Sequence, residues 1–187
     1  MKKLLKWMAK NEIRHANALL KLRISQLHTS MSTAYTMQGH TIIVTALMPI
    51  NNDTLVYGSS NASVTVLDSS DEMRNLIDRA GDLLNLQVHG VRRHPNSRMH
   101  LAVDCEGHQS KIDGRCYVVD LGRALPPNNA KFPDSLIHVF RPEYMMKRAK
   151  EGKPLLSADA FSAFGLPEDN KAVEEACHEY FTEWILQ

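Results

Sequence analysis

The sequence predicts an α+β domain in which an antiparallel or mixed sheet is covered by helices, with helical segments at both ends of the chain. Lys2 to about Arg23 is rich in Leu, Lys, Ala and Met and lacks Pro and Gly, which favours a helix. Short β-branched runs separated by turn residues follow, and helical apolar patterns return near the C-terminus. Strands that are mostly segregated from terminal helices are typical of this class.

The first strands are expected between residues 40 and 67. His40–Pro49 is a β-branched apolar run ended by proline, and residues 51–53 supply turn chemistry. Residues 54–58 and 62–67 then flank a Ser-Ser-Asn turn, which predicts a hairpin.

An amphipathic helix is predicted directly after this hairpin. Ser69 and Glu72 have the spacing of a capping box, in which the two side chains satisfy free backbone donors at a helix start. The apolar residues that follow recur at helical spacing and form one stripe: Met73, Leu76, Ile77, Ala80, Leu83 and Leu84.

The chain should then return to the sheet. Three segments are expected first: an extended stretch at 86–91, a polar loop at 92–97 and a strand at 99–103. Asp113-Gly114 marks a turn before a strand at 115–121, and Pro126-Pro127 cannot continue that strand.

The remainder is predicted to be mainly helical. Residues 135–140 fit either a strand or the start of a helix, because the run is too short for its periodicity to decide. Helices are expected at 142–150 and 157–164. Pro167 opens a last helix whose apolar stripe comprises Val173, Ala176, Cys177, Tyr180, Phe181, Trp184 and Ile185.

These elements suggest three parts: an N-terminal helical segment at 1–30, a core domain at 31–165 and a C-terminal packing helix at 166–187. A chain of 187 residues fits one ordinary domain with short extensions.

Composition narrows the function classes. The formal net charge of +1 argues against a surface built throughout for phosphate backbones, although a local basic patch stays open. Three cysteines do not make a secreted disulfide framework. No apolar run reaches the length of a membrane-spanning helix. We therefore expect a cytoplasmic protein.

Functional side chains are densest between residues 89 and 123. A metal could be bound there by His108 with Asp104, Cys105 or Cys116, because these side chains are common ligands. The segment lacks Cys-x-x-Cys and His-x-x-x-His spacing. We therefore predict neither a metal nor another cofactor.

Cysteine catalysis is also disfavoured. Cys116 lies in an apolar strand and Cys177 in an apolar helical stripe, while Cys105 lies between Asp104 and Glu106. A nucleophilic thiolate needs positive neighbours, so these thiols are expected to be inert.

Phosphoryl transfer is an alternative that the sequence leaves open. The strand ending in Val118-Val119-Asp120-Leu121-Gly122 resembles the metal-binding Asp-Phe-Gly element of kinases, with Asp120 as the magnesium ligand. No Gly-rich phosphate loop or Val-Ala-Ile-Lys element accompanies it. A kinase-like lobe without activity fits as well as an enzyme, and no catalytic residue is assigned.

A structural interpretation of the same region is favoured. Asp113, Arg115, Asp120 and Arg123 are predicted to form one ion-pair and hydrogen-bond network around a turn. Charged groups at half-buried strand ends need such partners.

Three motifs together resemble the clustered mitochondria (CLU) domain. They are Asp104-Cys-Glu-Gly-His108, Asp113-Gly-Arg-Cys-Tyr-Val-Val-Asp-Leu-Gly-Arg-Ala-Leu-Pro-Pro127 and Phe140-Arg-Pro-Glu-Tyr144. They occur in the order typical of that family, and the resemblance spans about Thr36 to Phe164. Gly122 stands where the family usually has Ala, and Lys111-Ile112 where it usually has a small residue and Thr.

The resemblance implies a role in mitochondrial distribution, messenger-RNA association and contact with the translation machinery, without an established activity or cofactor. Family members are commonly longer, with helical repeats whose partner binding cannot be carried over. We predict a binding or structural network among charged and polar residues of the three motifs: Asp104, Glu106, His108, Asp113, Arg115, Tyr117, Asp120, Arg123, Arg141 and Glu143.

The predicted function is therefore a non-catalytic CLU-domain binding module for a protein or RNA. An RNA-facing patch would be drawn from the arginines Arg92, Arg93, Arg98, Arg115 and Arg123. The lysine-rich residues 1–10 give a further expectation, weak contact with an acidic membrane surface. The sequence leaves the oligomeric state open.

Overall fold

The computed structural model describes residues 2–131 and 137–185, and the side chains of residues 9–131 and 137–183. Within these ranges it contains four α-helices: α1 (Lys2–Lys21), α2 (Asp71–Leu83), α3 (Pro142–Lys150) and α4 (Asn170–Tyr180). The strands in the same ranges are β1 (Leu27–Thr29), β2 (Ser32–Met37), β3 (His40–Thr45), β4 (Leu55–Gly58), β5 (Leu67–Asp68), β6 (His89–Val91), β7 (His94–Met99), β8 (Glu106–Gln109) and β9 (Cys116–Val119).

A five-stranded mixed sheet forms the centre of the fold, with strand order β1-β9-β8-β4-β5. β1 runs parallel to β9, whereas the other neighbouring pairs are antiparallel. Two further ladders are separate hairpins, β2–β3 and β6–β7. Strands and helices occupy largely different parts of the chain, which confirms the predicted α+β class and the helical segments at both ends.

The sheet is covered by α2, whose apolar stripe is largely confirmed. Met73, Ile77 and Ala80 are completely buried, and Leu84 is nearly so. Leu83 was expected in the same stripe but is 44% exposed. Burial of the remaining stripe stabilises the domain by roughly 1.5–3 kcal/mol for each large side chain.

The start of α2 differs from the prediction by one residue. Ser70, not Ser69, is the N-cap, and its hydroxyl accepts a hydrogen bond from the Met73 amide at 3.3 Å. Ser69 instead donates its hydroxyl to the Val56 carbonyl, and Glu72 accepts from Gln109 at 2.8 Å. The expected capping box is therefore wrong, because both side chains bond the neighbouring strands.

The hairpin predicted around residues 59–61 is present but short. β4 pairs with β5 only at Tyr57–Asp68 and Gly58–Leu67. Between them the chain forms a loop in which the Ser59 hydroxyl accepts from the Ser63 amide at 3.0 Å. The predicted strand at 62–67 is thus replaced by side-chain-supported turns along most of its length.

The segment at 99–103 was predicted as a strand and is instead irregular and buried beyond β7. Its amides bond side chains rather than a neighbouring strand. The His100 amide donates to the Tyr57 hydroxyl at 2.8 Å, and the Val103 amide donates to Asp159 at 2.9 Å. The predicted polar loop at 92–97 is also wrong, because it contains the turn of the β6–β7 hairpin and most of β7.

The predicted helix at 157–164 is absent, and this segment consists of turns. Phe161 has a φ of 55°, which a helix cannot accommodate. The Ser162 hydroxyl accepts from the Phe164 and Gly165 amides at 3.1 and 3.2 Å, which satisfies the backbone without a helix.

The C-terminal helices match their predictions more closely. α3 has the predicted bounds, and α4 follows a short 3-10 turn at Pro167–Asp169. The rings of Phe140, Tyr144 and Tyr180 contact one another with centroids 4.8–5.2 Å apart, which joins α4 to α3. Phe181 was placed in the apolar stripe but is 55% exposed.

Some C-terminal predictions concern residues that lie outside the described ranges. Residues 135 and 136 of the ambiguous 135–140 segment lie outside the described residues, while Val139 forms an isolated bridge with Pro127. The side chains of Trp184 and Ile185 also lie outside the described set. No helix in the described part of the chain is long and apolar enough to cross a membrane.

α1 has the predicted helical form and packs on the 3-10 turn at Leu121–Arg123. His15 is buried in this contact, and its Nδ1–H donates to the Leu121 carbonyl at 2.6 Å. A carbonyl can only accept, so Nδ1 carries the proton and Nε2 is the unprotonated nitrogen. Burial lowers the pKa of His15 to about 4, which the Leu121 contact only partly offsets.

We predict that His15 makes the protein less stable in acid. Its pKa is lower in the folded chain than the usual value near 6.5, so its contribution is complete above about pH 6.5 and is lost as pH falls toward 4. The loss amounts to about 3 kcal/mol. Urea denaturation at pH 7 and pH 4.5 should show this decrease in the wild type and a smaller one in His15→Gln. Equal decreases in both proteins would contradict the assignment.

Candidate functional site

A chain of charged side chains crosses the interior beside the central sheet. The Arg123 guanidinium binds both carboxylate oxygens of Asp104 at 2.8 and 2.9 Å and one oxygen of Asp159 at 3.0 Å. The other Asp159 oxygen contacts His89 Nε2 at 3.1 Å and accepts from the Val103 amide at 2.9 Å. We call Asp104, Arg123, Asp159 and His89 the buried charge chain.

The pKa shifts show how the buried charge chain keeps its charges. Burial opposes ionisation of Asp159, yet the His89 hydrogen bond and the Arg123 charge together hold its pKa below the usual value. Burial also opposes the charge on His89, and contact with Asp159 nevertheless raises the pKa of His89. Each group therefore stabilises the charged form of its neighbour, as buried ions require.

The buried charge chain connects four distant parts of the sequence. His89 lies in β6, Asp104 follows the irregular 99–103 segment, Arg123 lies beyond β9, and Asp159 belongs to the turns after α3. The guanidinium also lies over the Phe164 ring, with Cζ 5.4 Å from the ring centroid. These contacts attach the loops to the sheet, and the side chains of Asp159 and His89 are fully buried.

Asp113, Arg115 and Tyr117 form a second, separate group at the turn before β9. The Tyr117 hydroxyl donates to Asp113 at 2.7 Å, and the Arg115 amide donates to the same carboxylate at 3.2 Å. The Tyr117 hydrogen bond lowers the pKa of Asp113. The sequence predicted one network for Asp113, Arg115, Asp120 and Arg123, whereas the structure divides these residues between different environments.

Glu106 and His108 lie in β8, and their side chains form hydrogen-bond contacts inside the domain. His108 is buried, with Nε2 3.2 Å from the Glu106 carboxylate and Nδ1 3.0 Å from the Thr54 hydroxyl. Gly107 lies between them, where a Cβ atom would be 2.9 Å from Cβ of Tyr57 and 3.1 Å from Cγ of Met73. The Glu-Gly-His part of the first motif therefore serves close packing and hydrogen bonding.

Asp120 does not join Arg123 as predicted, since Arg123 bonds Asp104 and Asp159 instead. It has a φ of 56° and begins the turn that contacts α1. Together with Glu12 it lines a cavity of about 460 Å³ beneath the β2–β3 hairpin. Burial and the nearby Asp104 and Glu106 charges raise the pKa of Asp120.

Glu12 adds a second carboxylate to this cavity. Burial raises the pKa of Glu12, and the Asp120 charge acts in the same direction, while contacts with the backbone of Leu121 and Gly122 oppose the shift. Among residues 2–131 and 137–185, no group of three or more His, Cys, Asp or Glu side chains is arranged to hold a metal ion. Among the described residues, Glu12 and Asp120 thus have no third side chain of these types beside them for the proposed magnesium role of Asp120.

Arg141 and Glu143 lie at the start of α3, in the third motif. Arg141 is the N-cap residue, Pro142 opens the first turn, and Glu143 lies near the positive end of the helix dipole. Arg141 and Glu143 are exposed, whereas Pro142 is buried. The motif therefore begins a helix, and its charged side chains do not join the buried charge chain.

The five candidate arginines do not form one patch. Arg92 and Arg93 are exposed at the turn of the β6–β7 hairpin, and Arg98 on β7 is 3.3 Å from Asp78. Arg115 lies at the turn before β9, with Asp113 4.0 Å away. Arg123 is only 8% exposed, so the prediction that it faces RNA is wrong.

The three cysteines are unpaired. Cys105 and Cys116 are buried, and burial raises the pKa of both thiols. Cys177 is partly buried, which raises its pKa to about 12. These environments stabilise the neutral thiol, as the sequence predicted for packing cysteines.

Sequence reasoning did not single out Asp159, which is the centre of the buried charge chain. It is one acidic residue in a segment that was predicted to be helical, and nothing in the local pattern distinguishes it. His89 was recognised as part of the polar segment but was not assigned to the network. Their contact joins residues 70 positions apart, which local periodicity does not reveal.

Comparison with protein families decides the classification. The family model described as Clustered mitochondria (CLU) matches residues 2–131, which is more than half of the chain. The chain belongs to the CLU family. The match includes the first two motifs and ends before α3 and Asp159.

Two curated relatives are similar to this CLU chain. Both are named Clustered mitochondria protein homolog, one from Culex quinquefasciatus and one from Aedes aegypti. Each is 25% identical over 126 residues, which cover 64% of this chain and 9% of the relative. The chain therefore corresponds to a small part of these long proteins. No solved structure matches it significantly.

We predict that Asp159→Asn destabilises the fold by about 3–5 kcal/mol, because it removes the negative charge from a buried ion pair and leaves the Arg123 guanidinium without that partner. Asp104→Asn is the matched control, since the Asp104 side chain is 34% exposed and solvent can replace part of its contact. It should cost about 1 kcal/mol. Urea denaturation at neutral pH measures both. A loss from Asp104→Asn equal to that from Asp159→Asn would contradict a central role for Asp159.

Proposed function

We propose that the chain is a non-catalytic CLU-family binding module that acts in mitochondrial organisation and has a protein as its main ligand. The family match and the names of its relatives support the mitochondrial part. The observation that supports the non-catalytic part is the buried charge chain. Its charged groups bond one another inside the domain rather than face a substrate.

The environment of Asp120 also supports a binding module over a phosphotransferase. The cavity beside it is lined by two carboxylates whose pKa values are both raised. Nucleotide phosphates require compensating cations, and the described lining contains no Lys or Arg. No observation favours phosphoryl transfer as a second function.

A protein ligand is favoured over RNA by the positions of the arginines. Nucleic-acid surfaces depend on clustered, accessible positive charge. Here Arg123 is buried, and Arg98 and Arg115 each lie near an aspartate. The near-neutral net charge agrees with a ligand that does not rely on long-range attraction.

The mitochondrial proposal predicts saturable binding of the purified chain to isolated mitochondria in a sedimentation assay. Binding should disappear when the mitochondria are first treated with protease, because the ligand is a protein, and should survive ribonuclease. A cytoplasmic location, which the sequence led us to expect, would give the chain access to the outer face of the organelle. Absence of saturable binding to untreated mitochondria would contradict the proposal.

The same assay addresses the expected membrane contact of residues 1–10. The backbone of residues 2–10 is helical, while the side chains of residues 2–8 lie outside the description. A lysine-rich helix on acidic lipid would keep the chain bound after protease treatment and release it at high salt. Such a result would replace the protein ligand with a lipid surface.

RNA association is retained as a second proposal in a restricted form, supported by the exposure of Arg92 and Arg93 on one hairpin turn. About two phosphate contacts with a single strand predict a slope of about −1.4 for log affinity against log salt. Fluorescence anisotropy with labelled RNA should give this slope, and Arg92→Glu with Arg93→Glu should abolish binding. A much steeper slope would contradict a two-arginine contact and require another basic surface.

A further inference from the structure

The β2–β3 hairpin carries bulky apolar side chains on the face turned away from the domain. Its register pairs Thr33 with Val44, Tyr35 with Ile42 and Met37 with His40, so these residues share one face. Met31 extends the same face, because its carbonyl accepts from the Ala46 amide one position beyond the ladder. The large apolar residues of this outer face are all exposed: Met31 by 78%, Tyr35 by 59%, Met37 by 60%, Ile42 by 40% and Val44 by 51%.

The opposite face of the hairpin is turned toward the body of the domain and carries smaller, more polar residues. Ser32 and Thr45 are paired there, with their hydroxyl oxygens 3.0 Å apart. Ile43 is half-buried and lines the cavity that also includes Ala9 of α1. An ordinary surface hairpin places its apolar face toward the core and its polar face in water. This hairpin has the reverse arrangement.

The segment is also unusually free of charge. Residues 24–52 contain no Asp, Glu, Lys or Arg, although 43 such residues occur in the whole chain. β2 and β3 form a two-stranded ladder, so each has an unpaired outer edge. Natural edge strands are commonly protected by Lys, Pro or inward-pointing charge. Both strands lack these features, which favours association of this surface over free exposure.

We propose that the outer face of the β2–β3 hairpin is a homodimer interface, in which the hairpins of two copies pack face to face about a twofold axis. The five large side chains leave roughly 500 Å² of apolar surface in water on each copy. Two copies would together bury about 1,000 Å², the lower bound for a specific interface. A patch of this size matches the largest apolar patch on a typical monomeric protein, about 300–600 Å², and such patches are often functional.

The outer face is self-complementary about a twofold axis. The Tyr35–Ile42 pair lies at its centre, between the Thr33–Val44 and Met37–His40 pairs. A twofold axis through the central pair brings Tyr35 of one copy onto Ile42 of the other, an aromatic contact with a β-branched side chain. Two packed sheets lie about 10 Å apart and align within about 30°, which these side chains can span.

The absence of charge distinguishes a second copy from the other candidate occupants. RNA and acidic lipid both require cations at the contact, and His40 is the one side chain of the outer face that can become positively charged. A second copy brings no like charges together at neutral pH, since neither face has any Asp, Glu, Lys or Arg. The interface is isologous, as in most homodimers.

Sedimentation velocity and light scattering of the full chain, from low to high micromolar concentration, test the proposal. The wild type should convert from monomer to dimer. Ile42→Lys places an ammonium group at the centre of the interface and should raise the dissociation constant at least about tenfold. Thr41→Lys is the matched control, because Thr41 is the exposed neighbour on the opposite face of the same strand. It should leave the dissociation constant within about twofold of the wild-type value.

Circular dichroism and thermal unfolding should show that both variants remain folded.

Hydrogen exchange of the wild type gives a second measurement that needs no variant. Amides of β2 and β3 should exchange more slowly as protein concentration rises, while those of β6 and β7 should not change. A wild type that stays monomeric, or a Thr41→Lys effect equal to that of Ile42→Lys, would overturn the proposal. A wild type that stays monomeric yet binds mitochondria would reject this interface alone. A dimer without mitochondrial binding would reject the proposed function alone.

Discussion

The buried carboxylate of Asp159 sets the main constraint on this fold. An ionised carboxylate without solvent is costly unless several donors surround it. Arg123, His89 and the Val103 amide supply these donors from three different parts of the chain. The same requirement explains why residues 99–103 leave the regular strand pattern, since an amide that bonds a side chain cannot also bond a neighbouring strand. The loop after α3 is in this way attached to the centre of the sheet.

The motifs that give the chain its family resemblance serve this architecture more directly than they serve chemistry. Asp104 and Arg123 form a two-point ion pair, Gly107 permits close packing by Tyr57 and Met73, and His108 hydrogen-bonds Thr54 in the turn before β4. A dense cluster of functional groups in a sequence is commonly taken as evidence of an active site. Here the same density reflects the number of separate chain segments that must be joined.

The sequence predicted elements whose signals are local. The bounds of α3 follow from Pro142 and Gly152, and the buried face of α2 follows from its helical spacing. Elements that depend on distant partners were missed or misassigned. β1 has only three residues and exists through parallel pairing with β9, and neither β1 nor β2 was predicted as a strand. Asp159 was missed for the same reason, because its partners are far away along the chain.

The outward-facing apolar side chains of the β2–β3 hairpin bear on how tightly the protein would bind a surface that carries many copies of its ligand. Pairing through this hairpin would give one particle two copies of every other surface, including the exposed Arg92–Arg93 turn. When two weak contacts engage the same object, the second forms at a high effective concentration, and overall avidity can exceed either affinity by about 10²–10⁴. A small, nearly neutral domain could thereby bind firmly to a surface that displays many copies of its ligand. The same domain would dissociate quickly from single ligand molecules in solution, because each of these is held by one weak contact.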